Sequence, residues 1–262
     1  MLGIIGFGKM ASAIALRLLE KRFFTPAEII VFDCNPLRNK EAVHHQIKVA
    51  SGIKELMDIC DTCLLAVKPQ DKEPVLNEIS TTNKRRLIIS LLAGVTTTYL
   101  EKRLGERPVI RVMPNLGIRV GAGITFFSPG RFAAPSDIKK ALRIFQSLGD
   151  VFKIDEKRLN VITAISGSGP AYFFLLMEIL SEFAIKYGVS KKIALKMVQK
   201  TALAASLLAE EEPFSALRAA VTSKGGTTEA AVKVLEKSGI RKIFYSALGA
   251  AVKRSQQLSR KG

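Results

Sequence analysis

Cysteine, histidine and tryptophan are scarce in this sequence: 262 residues include three cysteines, two histidines and no tryptophan. A small, odd number of cysteines excludes a disulfide-stabilised framework and favours a reducing compartment. Cys60 and Cys63 have the spacing of a redox or zinc motif, but no second cysteine pair or nearby histidine completes a tetrahedral site. We therefore interpret both thiols as buried core side chains and predict no metal site.

The sequence also lacks long apolar runs and the pattern of a signal peptide. No run approaches the ~20 apolar residues that a membrane span requires. The first residues lack the basic start and small-residue cleavage site of a signal peptide and have the pattern of a strand. We therefore expect a cytoplasmic protein without a membrane partner.

Acidic side chains are few relative to basic ones: 23 acidic and 40 basic residues give a net charge of +17. Such an excess attracts anions, including nucleic acids. The charges are scattered, however, apart from short clusters such as residues 84–86 and a tail with Lys253, Arg254, Arg260 and Lys261. No nucleic-acid-binding motif accompanies them. We interpret the excess as a solvated basic surface that favours anionic small molecules, and we predict no specific nucleic-acid partner.

Short apolar segments alternate with helical patterns over the first half of the chain. Strands are predicted at residues 2–5, 29–32, 63–67, 87–90 and 109–113, with 124–127 and 151–154 at the edge of the same sheet. Continuous apolar strands separated by helices are typical of parallel strands buried on both faces. The pattern predicts an α/β, doubly wound sheet of the Rossmann type over residues 1–155.

The remainder of the chain, residues 156–262, has only helical patterns. Its segment 171–183 is apolar nearly all round, and one small domain cannot bury such a helix on every side. We therefore predict an all-helical second domain that packs against a second copy of the chain and so forms a dimer.

The segment at residues 6–11, GFGKMA, follows a strand and opens a helix; we call it the first glycine turn. The two glycines allow a tight turn and a close approach of the backbone to a pyrophosphate, which the helix N-terminus then faces. This context predicts a dinucleotide site. The turn residues assigned to it are Gly6, Phe7, Gly8, Lys9 and Met10.

The coenzyme stays open between NADH and NADPH. Asp33 ends the second predicted strand, where an acid usually binds the ribose hydroxyls of NAD. Arg38 follows closely and either meets a 2′-phosphate or is a solvated helix residue. Later loops are expected at the nicotinamide half, where Lys68 is either a ribose ligand or a surface lysine. They comprise Ala66, Val67, Lys68, Pro69, Ala93 and Gly94.

The segment at residues 223–228, SKGGTT, joins two predicted helices and ends on a helix N-terminus; we call it the second glycine turn. Its exposed N–H groups and hydroxyls suit a carboxylate ligand. The alternative is a glycine-rich connection with a threonine cap.

Taken together, these motifs resemble those of the pyrroline-5-carboxylate reductase family, and the resemblance covers nearly the whole length of the chain. The resemblance rests on residues 6–11, 66–69, 93–96, 111–115, SGSGPAY at 166–172 and SKGGTT at 223–228. It implies a Rossmann domain followed by a helical domain through which interlocked dimers share an active site. It also implies hydride transfer from NADPH or NADH to the C=N carbon of 1-pyrroline-5-carboxylate, which gives L-proline in the final step of proline biosynthesis.

The resemblance also implies roles for individual residues. Ser223 and the amides of Gly226 and Thr227 would hold the substrate carboxylate, and Thr228 would hydrogen-bond the ring nitrogen and pass it a proton. Met113 and Asn115 would lie beside the nicotinamide. The substrate-binding set is Ser223, Gly225, Gly226, Thr227 and Thr228, with Thr228 as the catalytic residue.

The chain departs from the family pattern at three loops. Leu116 and Gly117 stand where Thr-Pro is usual, Lys224 replaces a proline, and Lys9 stands where asparagine is commoner. Two alternatives follow: a related imine or hydroxyacid reductase with another substrate, or a non-catalytic paralogue that binds only the coenzyme. A β-hydroxyacid dehydrogenase needs a lysine early in the long helix, and residues 169–174 contain none.

Overall fold

Residues 1–260 are described by the structure, a computed structural model. Lys261 of the basic tail and Gly262, the last residues of the predicted helical domain, lie outside this range. The chain divides into two units, Met1–Ser168 with the chain end from Ala251, and Gly169–Ala250. Residues 163–167 pack against a strand of the first unit, so this division falls after Ser168, whereas the sequence predicts a domain boundary after residue 155.

The first unit contains one eight-stranded sheet in the order β3-β2-β1-β4-β5-β6-β7-β8. Its strands are β1 Leu2–Ile5, β2 Ile29–Phe32, β3 Lys48–Val49, β4 Thr62–Leu65, β5 Leu87–Ser90, β6 Val109–Pro114, β7 Gly123–Pro129 and β8 Gly149–Lys153. Neighbouring strands are parallel except β6 and β7, which run antiparallel. The predicted Rossmann-type sheet is thus confirmed; β3, with only two residues, escaped prediction.

Helices cover both faces of this sheet. They are α1 Lys9–Glu20, α2 Pro36–His44, α3 Ile53–Ile59, α4 Lys72–Ser80, α5 Thr97–Leu104, α6 Pro135–Gln146 and the short α7 Leu159–Ile162. Alternate strand residues face opposite cores: Ile4 belongs to one apolar cluster and Ile5 to the other. Strands buried on both faces explain why the sequence shows continuous apolar runs.

The order of the strands reverses at β1, which lies between β2 and β4. In doubly wound sheets, ligands bind at such a reversal, outside the carboxyl ends of the strands. The first glycine turn leaves the carboxyl end of β1, so the topology places it at this position.

The second unit consists of helices. They are α8 Gly169–Lys186, α9 Lys191–Leu208, α10 Phe214–Ala220, α11 Thr227–Lys237 and α12 Ile240–Arg260, whose last residues from Ala251 belong to the first unit. The π-helical turn Thr163–Gly167 precedes α8. The predicted all-helical character of this region is confirmed.

By length and composition alone, the helical segment Glu156–Lys186 could cross a membrane: an 18-residue window within it has a mean hydropathy of 1.4, and 17% of that window is buried. A single such segment is weak evidence, because apolar helices that pack against protein meet the same criteria.

The cysteines Cys60 and Cys63 lie in the core of the first unit, as predicted. Burial raises the pKa of the Cys60 thiol to about 11 and raises that of Cys63 well above its ordinary value. Both side chains therefore stay protonated at neutral pH and act as small apolar groups.

Candidate active site

The first glycine turn has the backbone that its sequence predicts. Gly6 has φ +87°, and a Cβ there would lie 2.9 Å from the carbonyl carbon and oxygen of Ala66. Gly8 is extended, and a Cβ there would have no heavy atom within 4 Å. The first turn of α1 contains no acidic residue and no side-chain cap. Its N–H groups are therefore open to an anion, with open space in front of Gly8.

Asp33 has a structural role that the sequence did not predict. Its carboxylate accepts hydrogen bonds from the amide of Phe7 at 2.6 Å and from the amide of Asn35 at 2.8 Å. The end of β2 is thereby tied to the first glycine turn. Arg38 lies on α2 and pairs with Glu41 at 2.8 Å, so its charge is already shared.

Two further predicted loops lie at the same edge of the sheet as the first glycine turn. Residues 66–69 follow β4 and residues 93–94 follow β5, and both strands run parallel to β1. Lys68 is exposed and precedes the short turn Pro69–Asp71. Gly94 is buried with φ +79°. The topology thus brings these predicted coenzyme residues to one edge.

Asn115 organises the loop after β6. Its Oδ1 accepts hydrogen bonds from the amides of Gly117 at 3.1 Å and Ile124 at 3.2 Å. A Cβ on Gly117 would lie 2.3 Å from the carbonyl oxygen of Ala122. Proline at position 117 has no amide hydrogen and could not donate this hydrogen bond to Asn115. The replacement of Thr-Pro by Leu116 and Gly117 therefore goes with a loop that has different hydrogen bonds.

Met113 is buried on the same strand, close to the π-helical turn. A Cβ on Gly167 would lie 3.7 Å from its sulfur. Met113 thus packs where the SGSGP segment meets β6, and π-helical turns are often found at functional sites.

Glu156 escaped the sequence-based prediction. Its carboxylate accepts hydrogen bonds from the backbone N–H of Thr97 at 2.8 Å, from the Thr97 hydroxyl at 2.7 Å and from Arg111 at 3.3 Å. The signal in the sequence is Arg111 itself, a charged residue within the apolar strand 109–113.

The second glycine turn is built within the helical unit. Gly225 has φ +74°, and its amide donates to the carboxylate of Glu229 at 2.8 Å. The amide of Gly226 donates to the carbonyl of Ser223 at 3.0 Å. Both glycine amides are therefore engaged within the chain, whereas the first amides of α11, which begins at Thr227, have no acceptor within the helix.

Glu229 fixes the shape of this turn and carries a charge there. The hydrogen bond from the Gly225 amide, and then that from Lys233, lower the pKa of the Glu229 carboxyl. The carboxylate is therefore ionised at neutral pH. Ser223, Thr227 and Thr228 are exposed on the surface of the unit.

Known proteins resemble the chain over its full length. It is 39% identical to pyrroline-5-carboxylate reductase of Synechocystis sp., a match that covers 99% of this chain and 98% of the relative. The chain belongs to the pyrroline-5-carboxylate reductase family. Residues 156–258 match the family described as pyrroline-5-carboxylate reductase dimerisation, and residues 1–94 match the one described as NADP oxidoreductase coenzyme F420-dependent.

Solved structures of this family have the same fold. The pyrroline-5-carboxylate reductase of Coxiella burnetii matches with a TM-score of 0.86 and 35% identity over 98% of both chains. The pyrroline carboxylate reductase of Plasmodium falciparum, solved with NADP bound, matches with a TM-score of 0.92 and 29% identity over 98% of this chain and 97% of that one. Both matches extend across the two units.

Proposed function

We propose that this protein reduces 1-pyrroline-5-carboxylate to L-proline, the last step of proline biosynthesis, with NADPH or NADH as the hydride donor. The observation that carries the proposal is the full-length similarity to pyrroline-5-carboxylate reductases. The open helix N-termini that follow the two glycine turns support it, since such termini favour anionic ligands. The reaction is the reduction of a C=N bond. The same proposal places the enzyme in the cytoplasm, without a membrane or specific nucleic-acid partner.

The coenzyme is assigned to the carboxyl edge of the sheet. The amides of α1 and the open approach at Gly8 fit a pyrophosphate, and Lys9 adds a positive charge beside it. The adenosine end is assigned to Asp33 and Arg38. The nicotinamide half is assigned to the remaining predicted residues: Ala66, Val67, Lys68, Pro69, Ala93, Gly94, Met113 and Asn115. Gly6, Phe7 and Met10 shape the turn itself.

The substrate carboxylate is assigned to the second glycine turn. Because the amides of Gly225 and Gly226 are engaged within the chain, these glycines shape the turn, while the amides of Thr227 and Thr228 and the hydroxyl of Ser223 bind the anion. The dipole of α11 favours a negative charge at this end. The Thr228 hydroxyl hydrogen-bonds the ring nitrogen and delivers a proton to it.

This reaction requires little from the protein beyond binding and orientation. A bound reduced nicotinamide supplies the hydride, and a protonated imine is already electrophilic. The remaining contribution of the protein is to hold the imine carbon in line for hydride transfer and to exclude water. Positioning of the reacting groups alone lowers the activation barrier by several kcal/mol. His44 and His45 lie on and just after α2 and have no role in this scheme.

We also propose a homodimer formed through the helical unit. Large apolar side chains of α8 are half exposed or more, including Phe173 at 67%, Phe183 at 60% and Leu176 at 50%. Phe173 and Leu176 line a groove of about 530 Å³ between α8 and α9, to which Phe214 also contributes. A second copy that packs on this face would bury it, in agreement with the dimerisation family that residues 156–258 match.

Substitutions at Thr228 test the assignment. Thr228→Val should lower kcat at least about 10-fold while the Kd for NADPH stays unchanged, because the hydroxyl acts only on the substrate. Thr228→Ser should restore much of the rate. Thr222→Val is the matched control, since the Thr222 hydroxyl donates to the carbonyl of Arg218 within the fold. Full activity in Thr228→Val would remove Thr228 from proton delivery.

A further inference from the structure

Arg111 is an unusual residue for its position. It lies in the middle of β6 and is 1% exposed. Its partners in the sheet register are Ser90 on β5 and Ser128 on β7, both buried. The small side chains of these two serines leave room for the guanidinium between the neighbouring strands.

Glu156 is the carboxylate that compensates this buried charge. Burial lowers the pKa of Arg111, and the ion pair with Glu156 partly offsets that effect. Two guanidinium nitrogens, Nε and Nη2, are buried without a hydrogen-bond partner in the described part of the chain. Replacement of a buried ion pair by well-packed apolar side chains often leaves the stability of a protein unchanged or raises it. The presence of the Arg111–Glu156 ion pair is therefore weak evidence that its role is to stabilise the fold.

The geometry links two elements that carry assigned coenzyme residues. Through Thr97, the first residue of α5, Glu156 holds the helix that directly follows the loop of Ala93 and Gly94. Through Arg111, it holds β6 two residues before Met113. One carboxylate thus joins the two segments that flank the nicotinamide half of the proposed site.

We propose that Glu156 is a positioning residue for hydride transfer, which fixes the loop after β5 and the end of β6 relative to each other through Thr97 and Arg111. The inference rests on the proposed function. A displacement of about 1 Å at a reacting centre lowers a rate about 100-fold, so a tie between these two segments has a direct kinetic effect. Glu156 itself is not assigned any contact with substrate or coenzyme.

The test is Glu156→Gln, measured at a temperature well below the melting temperature of every variant. The amide oxygen still accepts one of the two hydrogen bonds from Thr97, but the second acceptor oxygen and the charge that holds Arg111 are lost. We expect kcat to fall about 10- to 100-fold, the Kd for NADPH to stay unchanged, and the primary deuterium isotope effect on kcat to rise because hydride transfer becomes rate-limiting.

Arg107→Met is the matched control. Arg107 is also buried and precedes the same strand at its opposite end, where it donates to the hydroxyl and carbonyl of Thr82. Its loss should lower the melting temperature and leave kcat and the isotope effect unchanged. The double variant Glu156→Gln/Arg111→Met separates the two roles further: removing both charges should restore stability but not kcat.

The outcomes are distinct. A wild-type protein without turnover overturns the proposed function and this inference with it. An active wild type with unchanged kcat and isotope effect in Glu156→Gln overturns the inference alone, as does recovery of kcat together with stability in the double variant.

Discussion

Gly8→Ala separates coenzyme binding from folding. Gly8 has φ −75° and ψ −176°, which alanine adopts without strain, and a Cβ there meets no heavy atom within 4 Å. The lower entropy of the unfolded chain favours alanine by about 0.4–1 kcal/mol. Alanine is a poorer N-cap than glycine by a similar amount, so the free energy of unfolding should change by less than about 1 kcal/mol.

The same methyl group lies where the pyrophosphate would approach the backbone. We expect NADPH to bind at least about 10-fold more weakly, a loss of about 1.4 kcal/mol. At a concentration about 100 times the wild-type Kd, coenzyme stabilises the wild type by about 2.7 kcal/mol and the variant by only about 1.4 kcal/mol. Isothermal titration and thermal denaturation with and without NADPH measure both quantities.

Gly6→Ala is the contrasting variant. Its Cβ would lie 2.9 Å from backbone atoms of Ala66, and φ is +87°, so folding itself should suffer. The left-handed backbone alone costs about 1–2 kcal/mol. Wild-type affinity for NADPH in Gly8→Ala, or a loss of stability as large as that of Gly6→Ala, would refute the assignment of Gly8 to the pyrophosphate.

Three further predictions follow from the loops and the helical unit. Gly117→Ala should destabilise the fold by about 1–3 kcal/mol, because its Cβ would overlap the Ala122 carbonyl, whereas Gly52→Ala, with ordinary contacts, should be nearly neutral in chemical denaturation. Phe173→Glu should convert the dimer to monomer in analytical ultracentrifugation, and the exposed Val43→Glu should not; a dimeric Phe173→Glu would exclude this face. The pKa of Glu229 is lowered, so its stabilisation is present above the ordinary value of 4.5 and is lost as pH falls below it. The difference in melting temperature between wild type and Glu229→Gln should therefore vanish on acidification; a constant difference would contradict this.

Much of the fold was predictable because the sheet is buried on both faces. Strands such as β1 and β5 match the predicted bounds, since every residue in them is apolar or small. The two-residue strand β3 was not predictable, because it is too short to have a periodicity.

The site was predictable to the level of its motifs but not of its hydrogen bonds. The first glycine turn could be recognised because a tight backbone requires glycine, and the requirement is visible in the sequence. The tie from Asp33 to the Phe7 amide and the link from Glu156 to Arg111 join residues 26 and 45 positions apart. Such contacts depend on strand order, which no local pattern contains.

Transfer of a labelled hydride tests the central claim most directly. Purified wild-type protein would be incubated with 1-pyrroline-5-carboxylate and NADPH in which both hydrogens at C4 of the nicotinamide are deuterium, with equally labelled NADH in parallel. The product would be examined by mass spectrometry and NMR. We expect L-proline with one deuterium at C5, formed in proportion to the coenzyme consumed. Binding of coenzyme without formation of proline from either donor would contradict the account.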